Sequence, residues 1–140
     1  MQVILSGLVA LGLLVFVHEL GHFLVAKAAG IRVLKFSLGF GTKLVGFKRG
    51  ETEYLISWLP LGGYVKMAGE QYDDAQPVAV GDYFWRPWYV RLLVLVAGPL
   101  MNLLTAAAVL GTLYWAGFSV PLAQPQILGV IAGSPALKAG

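Results

Sequence analysis

Two histidines and a glutamate form the cluster in this sequence that is best suited to chemistry, His18-Glu19-Leu20-Gly21-His22. Residues i and i+4 of an α-helix lie on one face, so the two imidazoles can hold one zinc ion between them. Glu19 projects from the neighbouring face, where it reaches a water that the metal activates. Zinc polarises a carbonyl and lowers the pKa of water, and a carboxylate can then carry the proton to a leaving amine. The pattern predicts peptide-bond hydrolysis, with His18 and His22 as zinc ligands and Glu19 as the catalytic base.

Other roles for the same cluster stay open. The chain has two histidines and no cysteine, so disulfides and thiolate zinc sites are excluded and any metal site depends on these imidazoles. The spacing is that of the HExxH pattern of zinc metalloproteases. In a structural alternative, the histidines hydrogen-bond to a second helix and Glu19 is their counter-ion. A metal-ion transporter is a third possibility, but it predicts more polar residues in the second apolar segment than one Asn and two Thr.

The elements that must position this cluster are apolar. Hydrophobic residues make up 58% of the chain and charged residues 12%, against roughly 45–50% and 25% in soluble domains. Residues 3–29 and 92–118 form two apolar segments, each long enough to cross a bilayer. The first segment has neither a basic start nor a signal-peptide cleavage site, so we expect it to be retained. The fold class predicted is a membrane protein with transmembrane helices within residues 1–30 and 91–118.

The basic residues predict the orientation of these helices. Nine of the ten Lys and Arg residues lie between positions 27 and 91. The positive-inside rule therefore places residues 31–90 on the cytoplasmic side of a bacterial inner membrane. The N-terminus and residues after 118 then face the periplasm, and the zinc site lies in the cytoplasmic half of the bilayer. Binding to nucleic acid is a weaker interpretation of the same charge, and we expect no nucleic-acid partner.

Residues 31–69 predict a small antiparallel β-sheet of three or four strands. The candidate strands are residues 32–38, 43–48, 52–58 and 64–67, separated by Gly and Pro at 39–41, 49–51 and 60–63. Its many apolar residues predict that the sheet packs on the helices or enters the bilayer as a re-entrant element. An ordinary cytoplasmic hairpin domain is the alternative. Gly39 and Gly41 either let a substrate strand approach closely or make a turn.

The remaining segments supply few candidate functional residues. Residues 70–90 read as a polar cytoplasmic loop, in which Asp73 and Asp74 are a solvated pair, followed by an interfacial aromatic anchor. Gly98 and Pro99 bend or start the second helix. Asn102 is a polar residue within an apolar span, where it either binds a substrate backbone or joins the two helices.

Three separate motifs, in the same order, resemble those of the site-2 proteases, intramembrane zinc metalloproteases of the bacterial regulator of sigma-E protease type. The resembling stretches are FVHELGHFLVAKAAGIRVLKFSLGFG, PLGGYVKMAGE and VAGPLMNLL. The resemblance implies cleavage of single-pass membrane proteins in regulated intramembrane proteolysis, with anti-sigma-factor-like or signal-peptide-like substrates. It also implies Zn²⁺ held by His18 and His22, with Glu19 as catalytic base. The sheet would be a membrane-re-entrant element on which an unwound substrate segment pairs as an added strand.

The C-terminal residues 119–140 resemble a linker and the opening of a PDZ domain, in the stretch PQILGVIAGSPALKAG. The family's third zinc ligand is an Asp in a later helix, and no matching Leu-Asp-Gly occurs in this chain. We therefore expect these residues to be the N-terminal part of a longer protease and to be inactive alone. A non-catalytic, membrane-embedded peptide-binding fragment is the alternative function.

Overall fold

Along the chain, a long helix is followed by a β-hairpin and then by a second long helix. The computed structural model describes residues 1–71 and 77–117 of the 140. Helix α1 spans Gln2–Ala28, strand β1 Val33–Arg49, strand β2 Thr52–Met67 and helix α2 Trp88–Trp115. The predicted start of a PDZ domain and the Asp73–Asp74 pair lie outside the described residues.

The prediction of two apolar helices is confirmed. Both α1 and α2 are long and apolar enough to cross a membrane, at about 40 Å each for a rise of 1.5 Å per residue. Helix α2 continues through Pro99 rather than starting there. Helix α1 ends in a Schellman motif, because Gly30 has a φ of 69° and the Ile31 N–H donates to the carbonyl of Ala26.

The two helices approach each other closely where the side chains are small. A Cβ atom placed on Gly21 of α1 would lie 2.9 Å from the Cβ of Met101 and would overlap the carbonyl of Ala97 on α2. Ala97 and Gly98 are buried in the same contact. Small residues are typical of helix contacts within membranes, where close backbone packing replaces the hydrophobic effect. This contact brings the middle of α2 against the face of α1 that carries the histidines.

The sheet has fewer and longer strands than the sequence predicts. Within the described residues it consists of two strands, β1 and β2, which are joined by a tight turn at Gly50 and are antiparallel on either side of it. The predicted breaks at 39–41 and 60–63 bend the strands without ending them, and the register shifts repeatedly through these bends. Gly39 and Gly41 have φ values of 90° and 86°, which glycine adopts at little cost. These glycines therefore let one strand change direction while its pairing continues.

Because of these bends, the first part of β1 lies between two parts of β2. Phe36 is paired with Val65 on one side and with Tyr54 on the other. Along β1, the paired residues within 63–67 of β2 have decreasing numbers, so this pairing is antiparallel. The paired residues within 53–56 have increasing numbers, so this second pairing is parallel. Residues 43–49 of β1 pair with the outer side of residues 52–57. Among the described residues, residues 63–67 of β2 therefore have one sheet edge without a strand partner.

Aromatic side chains join the sheet to α1. Phe36 lies with its ring centre 4.8 Å from that of Phe23 and 6.0 Å from that of Phe16. Tyr54 extends the cluster, stacking on Phe47 at 5.1 Å. Edge-to-face and offset ring pairs of this kind add to the free energy gained by burial. The sheet therefore packs on the apolar helix α1, one of the predicted possibilities.

The far end of the sheet leaves large apolar side chains uncovered within the described structure. Trp58 is 70% exposed. Other large apolar side chains of the two strands are exposed to a smaller but still large extent, namely Phe40, Leu44, Val45, Phe47, Ile56, Leu59 and Leu61. An uncovered apolar surface of this extent marks a membrane or protein contact.

Beyond the sheet, the loop of residues 77–87 is held to the residue before β1 by a half-buried ion pair. Asp82 is 8% exposed, and its Oδ1 accepts a hydrogen bond from Arg32 at 2.6 Å. Its Oδ2 accepts another from the backbone N–H of Ala79 at 2.9 Å. The Ala79 hydrogen bond and, next, the Arg32 guanidinium lower the pKa of Asp82.

Acid is expected to weaken this attachment. Because the pKa of Asp82 is lower in the folded chain than the unfolded value of about 3.9, its stabilisation is complete above that value. It is lost as the pH falls through the lower, folded pKa. As the pH is lowered through this acid range, we expect the thermal unfolding midpoint of Asp82→Asn to fall less than that of the wild type. Glu51→Gln, in the exposed hairpin turn, is the matched control. An Asp82→Asn curve that parallels the wild type would contradict this role.

Candidate metal centre

The predicted zinc ligands lie where α1 faces α2. His18 and His22 are one turn apart on α1, with their ring centres separated by 4.8 Å and their planes at 78°. Both rings are directed at Gly98 of α2. A Cβ atom placed on Gly98 would lie 2.6 Å from the Nε2 of His18 and in still closer contact with the Nε2 of His22. The two Nε2 atoms therefore converge on one small space, which exists because residue 98 has no side chain.

This space is suited to a metal ion. Zinc binds imidazole nitrogen at about 2.0–2.1 Å, and a cradle bordered by two Nε2 atoms is the arrangement that a bis-histidine site requires. Among the described residues, no group of three or more His, Cys, Asp or Glu side chains forms a metal site. The described residues thus provide two convergent imidazole ligands.

The ring of His22 is fixed in the tautomer that a metal needs. Its Nδ1 lies 2.6 Å from the backbone carbonyl oxygen of Val94 on α2. A carbonyl only accepts hydrogen bonds, so Nδ1 carries the proton and the Nε2 lone pair is free. Metal-binding histidines commonly donate their second N–H to a carbonyl in this way.

The ring of His18 contacts a side chain instead. Its Nδ1 lies 3.3 Å from the Nδ2 of Asn102 on α2, so the structure places Asn102 beside the predicted zinc ligand. The other amide atom of Asn102, Oδ1, is buried without a hydrogen-bond partner in the described structure. Of the two roles left open for this residue, joining the helices is the one that its contact with α1 supports.

Glu19 points toward the sheet. A Cβ atom placed on Gly63 of β2 would lie 3.5 Å from the Cγ of Glu19. The backbone N–H of Val65 and both histidines lie close enough to the Glu19 carboxylate to interact with it electrostatically. The base predicted from the sequence therefore lies between the imidazole pair and residues 63–67 of β2, whose outer edge has no strand partner in the described structure.

Gly39 and Gly41, predicted to bind substrate, lie at the bend of β1. A Cβ atom placed on Gly39 would lie 2.7 Å from the carbonyl oxygen of Leu59. Strand β2 of the same chain therefore fills the space beside Gly39 that a substrate strand would need. A Cβ atom placed on Gly41 would meet no atom of the described residues within 4 Å. A substrate-binding role for either residue stays a prediction, while their positive φ values show that both shape the strand.

Sequence reasoning missed three residues that shape the site. The sequence predicts that Gly98 bends or starts α2, whereas in the structure it provides the space between the imidazoles. Val94 acts through its backbone carbonyl, which side-chain identity does not reveal. The sequence predicts that Gly63 is part of a turn, but it lies beside Glu19. A signal for the two glycines was present in the resembling stretches PLGGYVKMAGE and VAGPLMNLL.

Comparison with known proteins agrees with this geometry. Residues 6–133 match the model of peptidase family M50. Since that match covers most of the 140 residues, the chain belongs to peptidase family M50, the site-2 protease family.

Individual relatives are similar over most of this chain. A protein from Clostridium acetobutylicum, described as a "Putative zinc metalloprotease", is 40% identical over 98% of the chain. Proteins with the same description from Brucella suis and Chlamydia trachomatis are 38% and 45% identical over 98% and 77% of it. The chain covers 39% of the length of the first two relatives and 19% of the third. It therefore spans two fifths or less of these relatives.

Proposed function

We propose that this chain forms the zinc-binding half of an intramembrane endopeptidase that cleaves transmembrane segments of single-pass membrane proteins. The observation that carries the proposal is the convergence of the His18 and His22 Nε2 atoms on the space above Gly98. Membership of family M50 supports a protease, and the relatives' descriptions support zinc.

The residues have distinct roles in this proposal. His18 and His22 would hold Zn²⁺, which when bound polarises the scissile carbonyl and acidifies water. Glu19 accepts the proton from the attacking water and delivers it to the leaving amine. Val94 keeps the His22 ring oriented through the 2.6 Å hydrogen bond of its carbonyl.

The position of the free sheet edge supports a mode of substrate binding. A transmembrane helix hides its carbonyls in internal hydrogen bonds, so a substrate has to unwind before it is cleaved. Residues 63–67 of β2 offer backbone groups to which an unwound segment can add as a strand. Because Glu19 lies beside this edge at Gly63, a strand added there would pass close to the base.

The surface of the chain supports a location within the bilayer. Most large apolar side chains of α1 and α2 are exposed, as are those at the far end of the sheet. We propose that the sheet enters the membrane as a re-entrant element, which keeps these groups away from water. The basic residues between 27 and 91 support a cytoplasmic position for the loops in a bacterial inner membrane.

Zinc content tests the proposal directly. We expect the detergent-purified natural polypeptide to carry stoichiometric zinc by elemental analysis, and His22→Ala to lose it because one of two convergent imidazoles is gone. Thr105→Val on α2 is the control, since the Thr105 hydroxyl donates to Met101 of its own helix. Wild-type protein without zinc after purification in zinc-containing buffer would contradict the metalloprotease. It would favour the non-catalytic peptide-binding alternative.

A further inference from the structure

The contact between His18 and Asn102 affects which ring nitrogen of His18 carries the proton. A neutral imidazole has one N–H, and whichever nitrogen lacks it has the lone pair that binds a metal. The Nδ1 of His18 faces the amide of Asn102 at 3.3 Å, and its Nε2 faces the space above Gly98. The atom that Asn102 presents to Nδ1 therefore decides whether Nε2 is available.

The amide can present either of its atoms, and the two choices have opposite consequences. If Nδ2 donates to Nδ1, the ring proton is on Nε2 and the metal position is blocked. Rotation of the amide by half a turn places Oδ1 against Nδ1 in almost the same volume. Oδ1 then accepts the Nδ1–H, and the Nε2 lone pair is free for the metal.

The surroundings of the two atoms show what metal binding requires. Asn102 Oδ1 is buried and has no hydrogen-bond partner within the described residues, which is a costly state for a carbonyl oxygen. His22 already has the metal-competent arrangement, with Nδ1 donating to the Val94 carbonyl. Two ligands of one ion both need a free Nε2, so His18 needs an acceptor at the equivalent place, and Asn102 is the side chain that contacts its Nδ1.

We propose that Asn102 is a positioning residue whose amide oxygen accepts the Nδ1–H of His18 and so fixes the tautomer that binds zinc. This inference rests on the zinc site of the proposed function. Helix α2 then orients both zinc ligands. The backbone carbonyl of Val94 orients His22, and the side chain of Asn102 orients His18.

Zinc affinity, measured by competition with a chromophoric chelator in detergent, tests the role without any activity assay. We expect Asn102→Leu to lower the affinity by about 10- to 100-fold, the usual effect of losing a partner that orients a metal-bound histidine. Asn102→Asp keeps an oxygen acceptor, so we expect it to retain most of the affinity. Thr105→Val, one turn away on α2 and hydrogen-bonded to its own helix, should leave it unchanged.

Nitrogen-15 NMR of histidine-labelled protein gives a second, independent measurement. The chemical shifts distinguish protonated from unprotonated ring nitrogens. We expect zinc-loaded wild type and Asn102→Asp to show His18 protonated at Nδ1. Asn102→Leu without zinc should show a larger share of the Nε2-protonated ring. A residue that only packs the helices together would leave this tautomer ratio unchanged.

The outcomes separate this inference from the proposed function. Wild-type affinity in Asn102→Leu, together with loss of zinc in His22→Ala, would overturn the role of Asn102 and leave the metal site standing. Equal losses in Asn102→Leu and Asn102→Asp, with an unchanged tautomer ratio, would also overturn it and assign Asn102 to helix packing. Failure of wild type and His22→Ala to differ in zinc would instead overturn the proposed function. Circular dichroism and size exclusion in detergent check that each variant is folded.

Discussion

Replacement of Gly98 by alanine is expected to abolish zinc binding while leaving α2 helical. The new Cβ would lie 2.6 Å from His18 Nε2 and closer to His22 Nε2, within the space on which both nitrogens converge. A zinc ion bonded to both Nε2 atoms and the methyl group of the alanine cannot occupy that space together. We therefore expect the loss of affinity to exceed the 10- to 100-fold caused by removing an orienting partner.

The same substitution elsewhere on α2 gives a matched control. A Cβ atom placed on Gly111 would have no neighbouring atom within 4 Å in the part of the chain that the structure describes. Alanine is a better helix former than glycine by about 1 kcal/mol in water, so Gly111→Ala should keep full zinc binding and an equal or higher unfolding temperature. Chelator competition on both variants measures the difference. Zinc bound to Gly98→Ala with wild-type affinity would show that the metal does not occupy this space.

Replacement of Glu19 by glutamine is expected to stop cleavage while zinc remains bound. The amide has nearly the shape of the carboxylate, but it cannot accept a proton from water, and loss of general acid–base catalysis costs typically 10²- to 10⁴-fold in rate. The measurement is cleavage of a single-pass membrane protein by the natural polypeptide in proteoliposomes, with zinc content determined on the same sample.

A second glutamate serves as the control for this change. Glu53 lies on the sheet, where its carboxylate accepts a hydrogen bond from Lys43 at 2.6 Å. Glu53→Gln removes the same charge without touching the imidazole pair, so cleavage should continue at the wild-type rate. If Glu19→Gln cleaves as fast as Glu53→Gln, Glu19 is not the base.

The membrane setting explains why a site of this kind can exist in so small a structure. Glu19 and two histidines within an apolar segment are costly unless they have partners. Val94 supplies one for His22 and Asn102 supplies one for His18, and the Val65 backbone N–H lies near the Glu19 carboxylate. The contact of Gly21 with Ala97 brings α2 near enough for the first two of these contacts to form.

Local spacing allowed the sequence alone to select the candidate reactive residues. His18 and His22 share a face because of the helical repeat, and Glu19 is fixed beside them by its place in the chain. The two apolar helices and the turn at Gly50 follow equally from local composition, although α2 spans Trp88–Trp115 and so begins before the predicted start at residue 91. Gly39 and Gly41 misled the strand prediction, because positive φ values bent β1 without interrupting its pairing.

Only the tertiary structure decided which groups complete the site. Val94 is 72 residues from His22 along the chain, and Asn102 is 84 residues from His18. No local pattern links residues so far apart, since their proximity depends on how α2 crosses α1. The space at Gly98 likewise exists only once the two helices are packed together, because the imidazole rings of α1 form its other side.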